Sequence, residues 1–466
     1  MPHTTIPAAG PRANARPRDA STGTLLVLLT GIFITTLDFF IVNVAIPDIQ
    51  SDLGAGTTAI QWVVAGFGLA LGGGLITGGR LGDLFGRRRM YALGLAAFTA
   101  ASLACGLAPS PGSLIAARVV QGIAAALLMP QVLGIINGAF TGERRARAFT
   151  AYGLALGLGG VFGQLIGGAL IEADLFGTGW RSIFLINVPV GLVTLALVRR
   201  TVPAQRGTRG ARLDAAGTLL ATLGLVALVL PLIEGRRLGW PAWTWASLAA
   251  SAVLLAAFAL HQRLLDRRGG APLVAPALFR ERAFRVGSVL ALAYTLALAS
   301  FFLYLALYLQ QGRGLSALES GLLFVALGAG YFAASTRATA VAARLGRQVL
   351  ALGAAVQASG CLLLIAALGD GVGWLVPGLA LAGAGMGFVL APLSSLVLSG
   401  VTDRHAASAA GVLSTAQQVG NALGVALVGI VFYGAGDISD AFRTSLIPVM
   451  AFCGVTAALA RLLPGR

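Results

Sequence analysis

The sequence predicts an all-α polytopic membrane protein of fourteen transmembrane helices, arranged as two six-helix bundles with two further helices inserted between them. Three observations predict it. Of the 466 residues, 57% are hydrophobic and only 11% are charged, against about 25% charged in a soluble globular chain. Apolar runs long enough for the roughly 30 Å hydrocarbon core recur along the whole chain. Arginine gathers in alternate connections between those runs.

The first twenty residues, MPHTTIPAAGPRANARPRDA, are polar and rich in Pro, Ala and Arg. They lack the apolar core of a signal peptide, so a disordered cytoplasmic tail is expected over 1–22. Six apolar runs follow, at 23–46, 59–79, 90–108, 113–136, 148–171 and 181–198, and form the first bundle, 23–200. The runs at 214–233 and 244–262 are bracketed by the two longest basic loops, Arg199–Leu213 and His261–Arg285, so 201–284 reads as linkers plus an inserted pair. The remaining runs, 285–308, 318–340, 348–368, 372–398, 406–433 and 444–463, form the second bundle, 285–466. An internal echo supports the division: LFGRRR (84–89) after the second run recurs weakly as RLGR (344–347) after the tenth. Paired halves with a site between them near the midplane are typical of secondary transporters.

With the N-terminus inside, 27 of the 33 arginines fall on the inner side, and only Arg181, Arg236, Arg237, Arg313 and Arg443 fall outside. Arg118 lies within a run. This positive-inside bias predicts a multi-pass cell (plasma) membrane protein with both termini cytoplasmic.

Composition also excludes whole classes of function. Every basic residue is arginine. Without lysine there is no GxxxxGK[ST] phosphate loop, so no ATP is expected as a partner, and lysine Schiff-base chemistry is excluded. The net charge of +16 lies at membrane edges, which points to anionic lipid headgroups and not to nucleic acid. Cys105, Cys361 and Cys453 sit far apart in apolar runs with no metal-ligand spacing, and the three histidines lie in tails or loops. No metal, cofactor or enzymatic site is expected. The GxxxG faces are needed inside one chain, so a monomer is expected.

Four stretches carry mechanism. GGRLGDLFGRRR (Gly78–Arg89) joins runs 2 and 3. Its glycines permit close helix approach, Asp83 can pair with an arginine, and the arginines can anchor to headgroups. LDFFIVNVAIPDI (37–49) places Asp38 inside run 1, and RVVQGIAAALLMP (118–130) opens run 4 with Arg118 and Gln121. GLGGVFGQLIGGAL (157–170) repeats glycine at 159, 163 and 167, a flat face for helix packing.

The Gly-x-Leu-x-Asp-x-x-Gly loop with three arginines resembles the loop signature of the major facilitator superfamily. Together with the other three stretches and WRSIFLINVPVG (180–191), it is similar to the fourteen-span drug:proton antiporters of that superfamily. The resemblance implies the major facilitator fold and a proton-coupled antiporter that exports small organic compounds. It implies a conformational latch at Gly79, Asp83, Gly86, Arg87 and Arg88, and proton coupling through Asp38 and Arg118. The antiporter-motif helix is carried by Gly159, Gly163, Gln164, Gly167 and Gly168. Gln164 departs from the proline of the antiporter motif and places a hydrogen-bonding amide at a seam. Candidate cavity residues are Asp38, Asn43, Gln121, Gln164, Gln417, Gln418 and Asn421. Metabolite uptake, and a sensor or scaffold built on a transporter fold, stay open as alternatives.

Asp38 lies roughly 22 Å along run 1 from its inner end, and Arg118 roughly 8 Å in from the outside, at 1.5 Å per residue. Their depths are similar, so pairing or water-mediated coupling is geometrically accessible. A carboxylate at such depth needs a polar cavity or a partner. Burial and a nearby arginine act on it in opposite senses, so such a group can load and release a proton as access alternates. With Asp38 the only acid well inside a run, the expected substrate is neutral, zwitterionic or singly charged.

Overall fold

A computed structural model of the chain describes residues 21–204, 213–270, 272–398 and 406–464. Among the described residues there is no strand. Fourteen long helices run in order: α1 Thr22–Leu53, α2 Thr57–Phe85, α3 Arg87–Gly106, α4 Pro111–Ala139, α5 Gly142–Ala173, α6 Gly179–Thr201 and α7 Ala215–Glu234. They continue with α8 Ala242–Arg267, α9 Arg282–Gly312, α10 Ala317–Leu345, α11 Gln348–Ala366, α12 Val372–Leu398, α13 Ala406–Phe432 and α14 Ile438–Leu462. Thirteen of these are long and apolar enough to cross a membrane. The exception is α3, whose first turn is Arg87, Arg88 and Arg89. The expected tail falls outside the described residues except at its end, where Ser21 caps α1 by accepting from the Thr24 amide at 3.1 Å. The connection expected between the runs at 372–398 and 406–433 also lies outside them.

The packing repeats. Within helices 1 to 6, α2 and α3 pack on α4, α1 packs on α5, and α6 lies on α1 and α3. Within helices 9 to 14, α10 and α11 pack on α12, α9 packs on α13, and α14 lies on α9 and α11. Across the two sets, α2 meets α13 and α5 meets α10. Glycine makes these approaches close. A Cβ on Gly163 would lie 3.1 Å from the Leu37 carbonyl oxygen, and one on Gly167 2.6 Å from Ile41 Cγ1. In the second set Gly420 and Gly424 of α13 lie against backbone carbonyls of α9.

The inserted pair is peripheral. α7 and α8 pack on each other, bonded by Ser251 Oγ to the Gly224 carbonyl at 2.7 Å. α7 also leans on α2 and α13. Trp62 Nε1 donates to Glu234 at 3.1 Å, and Thr77 and Thr218 share a hydrogen bond of 3.0 Å. Asp214 caps α7, accepting from the Gly217 amide at 2.8 Å.

The two ends of the barrel of helices differ. On the side away from the arginine-rich loops, one apolar cluster unites both halves: Ile46 and Ile49 of α1 and Phe184 of α6 belong with Phe302 and Tyr308 of α9 and Phe442 of α14. Gln310 Nε2 donates to the Val44 carbonyl at 2.9 Å across that seal. On the arginine-rich side the halves keep separate clusters, one around Leu28, Tyr91, Leu128 and Ile135, the other around Phe284, Leu290, Val349 and Val389. The halves thus share one apolar cluster at one end and keep separate ones at the other.

Candidate functional site

Asp38 and Arg118 are both fully buried and form a direct ion pair between α1 and α4. Burying two charges is unfavourable unless their remaining hydrogen-bonding capacity is met, and here most of it is. Asp38 Oδ1 accepts from Gln121 Nε2 at 2.9 Å and from Asn187 Nδ2 at 2.8 Å. Arg118 donates through Nε to the Val63 carbonyl at 3.1 Å and also bonds Gln121 Oε1 at 2.8 Å. Its guanidinium carbon lies 4.2 Å from the centroid of the Phe67 ring, a favourable place for a desolvated cation. Asn187 donates as well to Ser102 Oγ at 2.9 Å, and Ser102 to the Phe184 carbonyl. The network therefore draws on α1, α2, α3, α4 and α6.

Four residues beyond Asp38, α1 changes to a 3-10 turn at Val42–Ala45 before Pro47 restarts the α-helix. Proline supplies no amide hydrogen, and the change of hydrogen-bond spacing leaves carbonyls off the regular ladder. Two glutamines answer them. Gln164 Nε2 of α5 donates to the Phe40 carbonyl at 2.8 Å, and Gln310 of α9 serves Val44. Asn43 Oδ1 is buried in the break without a partner.

A cavity of about 160 Å³ lies between the halves, in their inner part. α1 contributes Thr35, Thr36, Phe39 and Phe40; α13 contributes Ser414, Gln417, Gln418 and Asn421; Met129, Pro130 and Tyr152 complete much of the wall. Among the described residues no charged side chain lines it. The Thr36 hydroxyl and Asn421 Oδ1 are buried and unpartnered, one from each half.

Three of the seven residues expected around a cavity line it: Gln417, Gln418 and Asn421. Asp38 and Gln121 lie in the ion-pair network, Asn43 in the break, and Gln164 at the α1–α5 seam. The reason is helical geometry. At 3.6 residues per turn, Asp38 projects roughly 130° around α1 from the middle of the arc that faces the cavity.

The Gly78–Arg89 connection packs on α4. Gly86 turns the chain with φ of 94°, a region that favours glycine. Asp83 and Arg87 pair at 2.8 Å, and the Arg87 guanidinium occupies the space beside Gly134 where a side chain would otherwise stand. Gly82 lies against the Gln131 side chain, and a Cβ on Gly79 would meet Pro130 at 3.6 Å. Arg88 donates to the Val202 carbonyl at 3.3 Å, and Arg80 to that of Pro272 at 3.0 Å. On the antiporter-motif helix, Gly159, Gly163 and Gly167 face α1, while Gly168 faces Ala317 of α10.

Sequence reasoning passed over Asn187, Ser102 and the hydroxyls of the cavity wall. Asn187 carried a usable signal: it is an amide inside an apolar run, six residues beyond Arg181, at a depth close to that of Asp38. Met129 and Pro130 offered none.

Comparison with known proteins places this architecture. The sequence matches the Major Facilitator Superfamily over residues 28–425. It is 40% identical to a probable actinorhodin transporter of Streptomyces coelicolor, over 92% of this chain and 74% of that one. It is 39% identical to the puromycin resistance protein pur8 of Streptomyces alboniger, over 88% and 82%. The fold is similar to the xylose transporter XylE from E. coli, with a TM-score of 0.65 at 15% identity, covering 94% of this chain and 96% of that one.

Proposed function

The chain belongs to the major facilitator superfamily, and we propose that it is a proton-coupled exporter of small amphipathic organic compounds, of the antibiotic or secondary-metabolite kind, working by alternating access. The names of its relatives support the substrate class. The observation that carries the mechanism is a buried carboxylate–guanidinium pair on the same helix that walls a cavity between the halves.

In this reading the arginine-rich side is cytoplasmic, both termini are inside the plasma membrane, and the molecule stands inward-facing as a monomer. Substrate enters between the inner ends of the halves and contacts α1 and α13, near the buried Thr36 hydroxyl and Asn421 Oδ1. A proton arriving on Asp38 neutralises the carboxylate and loosens its hold on Arg118; its departure restores the pair. Because the two sites occupy different faces of α1, proton and substrate act on one another through movement of that helix, with Val42–Ala45 as its flexible point. The Asp83–Arg87 loop steadies the inner ends of α2, α3 and α4. An uncharged cavity wall favours neutral and zwitterionic molecules over singly charged ones, and singly charged ones over dications, since each unpaired charge there would be desolvated without compensation.

The test is growth and flux. Expression should raise tolerance to a subset of a toxin panel that includes neutral aromatic antibiotics and permanent dications. In inverted vesicles with an imposed proton gradient, the protecting compounds should dissipate ΔpH on addition. Protection confined to dications, or no protection with no gradient response, rules the reading out.

A further inference from the structure

Outside the central site, a second concavity lies on the lipid-facing surface between α1 and α6, with a volume of about 380 Å³. Leu26 and Thr30 form one wall, and Pro189, Val193, Thr194 and Leu197 the other. From Leu197 to Pro189 the groove extends roughly 12 Å along the helix axis at 1.5 Å per residue. That is close to the depth of one leaflet of a roughly 30 Å hydrocarbon core.

Its chemistry is more apolar than its residue names. The Thr30 hydroxyl donates to the Leu26 carbonyl at 2.9 Å, and the Thr194 hydroxyl to Val190 at 2.7 Å. Both threonines therefore have their hydroxyl hydrogens committed to their own helices and offer a visitor no donor. Nothing in the wall selects a hydrogen-bonding drug; it is shaped for hydrocarbon.

The mouth of the groove is different. Val193, Leu197 and Arg200 follow one another at i+4 and i+3, so they share one helix face, and Arg199 is next to it. Both arginines are exposed, and among the described residues neither forms an ion pair. The end of α6 is held rigidly against α1 there, because the Thr24 hydroxyl donates to the Thr201 carbonyl at 2.7 Å. An arginine at the membrane edge extends to headgroup level and attracts anionic lipid.

We propose that the α1–α6 groove is a site for one anionic phospholipid of the leaflet on the arginine-rich side, with an acyl chain against Val193 and Leu197 and the headgroup phosphate on Arg199 and Arg200. Charge complementarity at the mouth selects the anionic headgroup, and the satisfied threonines select the chain.

The test is native mass spectrometry of the full-length protein, delipidated in detergent and titrated with dioleoyl phosphatidylglycerol, dioleoyl phosphatidylcholine or soluble glycerol 3-phosphate. The expected result is one phosphatidylglycerol bound at least tenfold more tightly than phosphatidylcholine, with glycerol 3-phosphate binding undetectably. Val193→Trp, which fills the groove from an exposed position, and the double variant Arg199→Gln/Arg200→Gln should each weaken that binding at least tenfold. The two variants change different atoms, so either one that keeps the wild-type melting temperature decides the matter. Equal affinity for the two lipids, equal binding of glycerol 3-phosphate, or undiminished phosphatidylglycerol binding in a folded variant overturns the site.

Discussion

The two halves of this protein are built on one packing scheme but carry different interiors. In helices 1 to 6 the interior holds a fully buried ion pair, Asp38 with Arg118, supported by Gln121 and Asn187. In helices 9 to 14 the buried polar contact is neutral: the Tyr294 hydroxyl donates to Gln357 Oε1 at 2.6 Å. The loops differ likewise, with Asp83 paired in the first half and Ala343 at the corresponding place in the second. Helices 9 to 14 pack in the same pairwise order with no buried charge among the described residues. The packing scheme alone therefore does not account for the charge in the first half.

The comparison can be broken most severely at Arg118. Arg118→Leu leaves Asp38 uncompensated, and losing one partner of a buried pair costs about 3–5 kcal/mol. A thermal melt in detergent should show a large loss of stability, and Asp38→Asn/Arg118→Leu should recover part of it. If the single variant melts like wild type, the pair contributes nothing to the folded state.

A second perturbation addresses what the halves share. Gly163→Leu must force α5 away from Leu37 and Phe40, and overpacking of this kind costs about 1–3 kcal/mol. Gly424→Leu, whose Cβ would stand 2.1 Å from the Leu296 carbonyl oxygen against 3.1 Å from the Leu37 oxygen at Gly163, should cost more. A Gly424→Leu melting temperature no lower than that of Gly163→Leu would show that the repeat in packing is not a repeat in energetics.

The neutral pair of the second half should matter less. Tyr294→Phe removes one buried hydrogen bond, a loss of about 1 kcal/mol, and substrate-driven proton movement should persist in reconstituted vesicles. Loss of that movement would place coupling in both halves.

The smallest effect belongs to the inserted pair. Burial pushes the Asp214 carboxyl up, but the Gly217 amide and the Gln262 and His261 side chains outweigh it and hold the group below the usual carboxylate range. A depressed folded value contributes stability that is present above the unfolded value, about 3.9, and lost as pH falls through the folded one. Asp214→Asn keeps a capping side chain but gives up the carboxylate's charge-assisted hydrogen bonds, so it should cost about 1 kcal/mol at pH 7. The gap should narrow only below about pH 4. A gap that is constant from pH 7 to pH 3 would show that the carboxylate form is not what matters.

Much of the fold could be read from the chain because lipid imposes strict terms. A spanning helix must be long and apolar, and arginine must stay at the edges, so all fourteen helices were visible as runs, although the run at 90–108 missed the basic first turn of α3. Glycines at 159, 163 and 167 likewise announced a packing face, since only close approach explains their spacing. The site was less legible. Matched depth brought Asp38 and Arg118 together on paper, but azimuth around α1 is set by tertiary packing. For that reason Asp38 was grouped with the cavity, although Thr35, Thr36, Phe39 and Phe40 face it instead. Asn187 escaped notice because a single amide in an apolar run has no partner until α1 and α6 are adjacent in space. Gln164 was likewise grouped with the cavity, since the Phe40 carbonyl it serves lies on another helix.

The account rests on Asp38 carrying the proton while the substrate sits on another face of the same helix. Proteoliposomes reconstituted with wild type or Asp38→Asn, each shown to be folded by its melt, allow both properties to be read in one preparation. Substrate binding is followed by tryptophan fluorescence, and proton movement by a pH dye in the lumen. The account predicts that Asp38→Asn binds substrate within a few fold of wild type but moves no protons in response to it. Wild-type proton movement in Asp38→Asn, or loss of substrate binding together with proton movement, would contradict it.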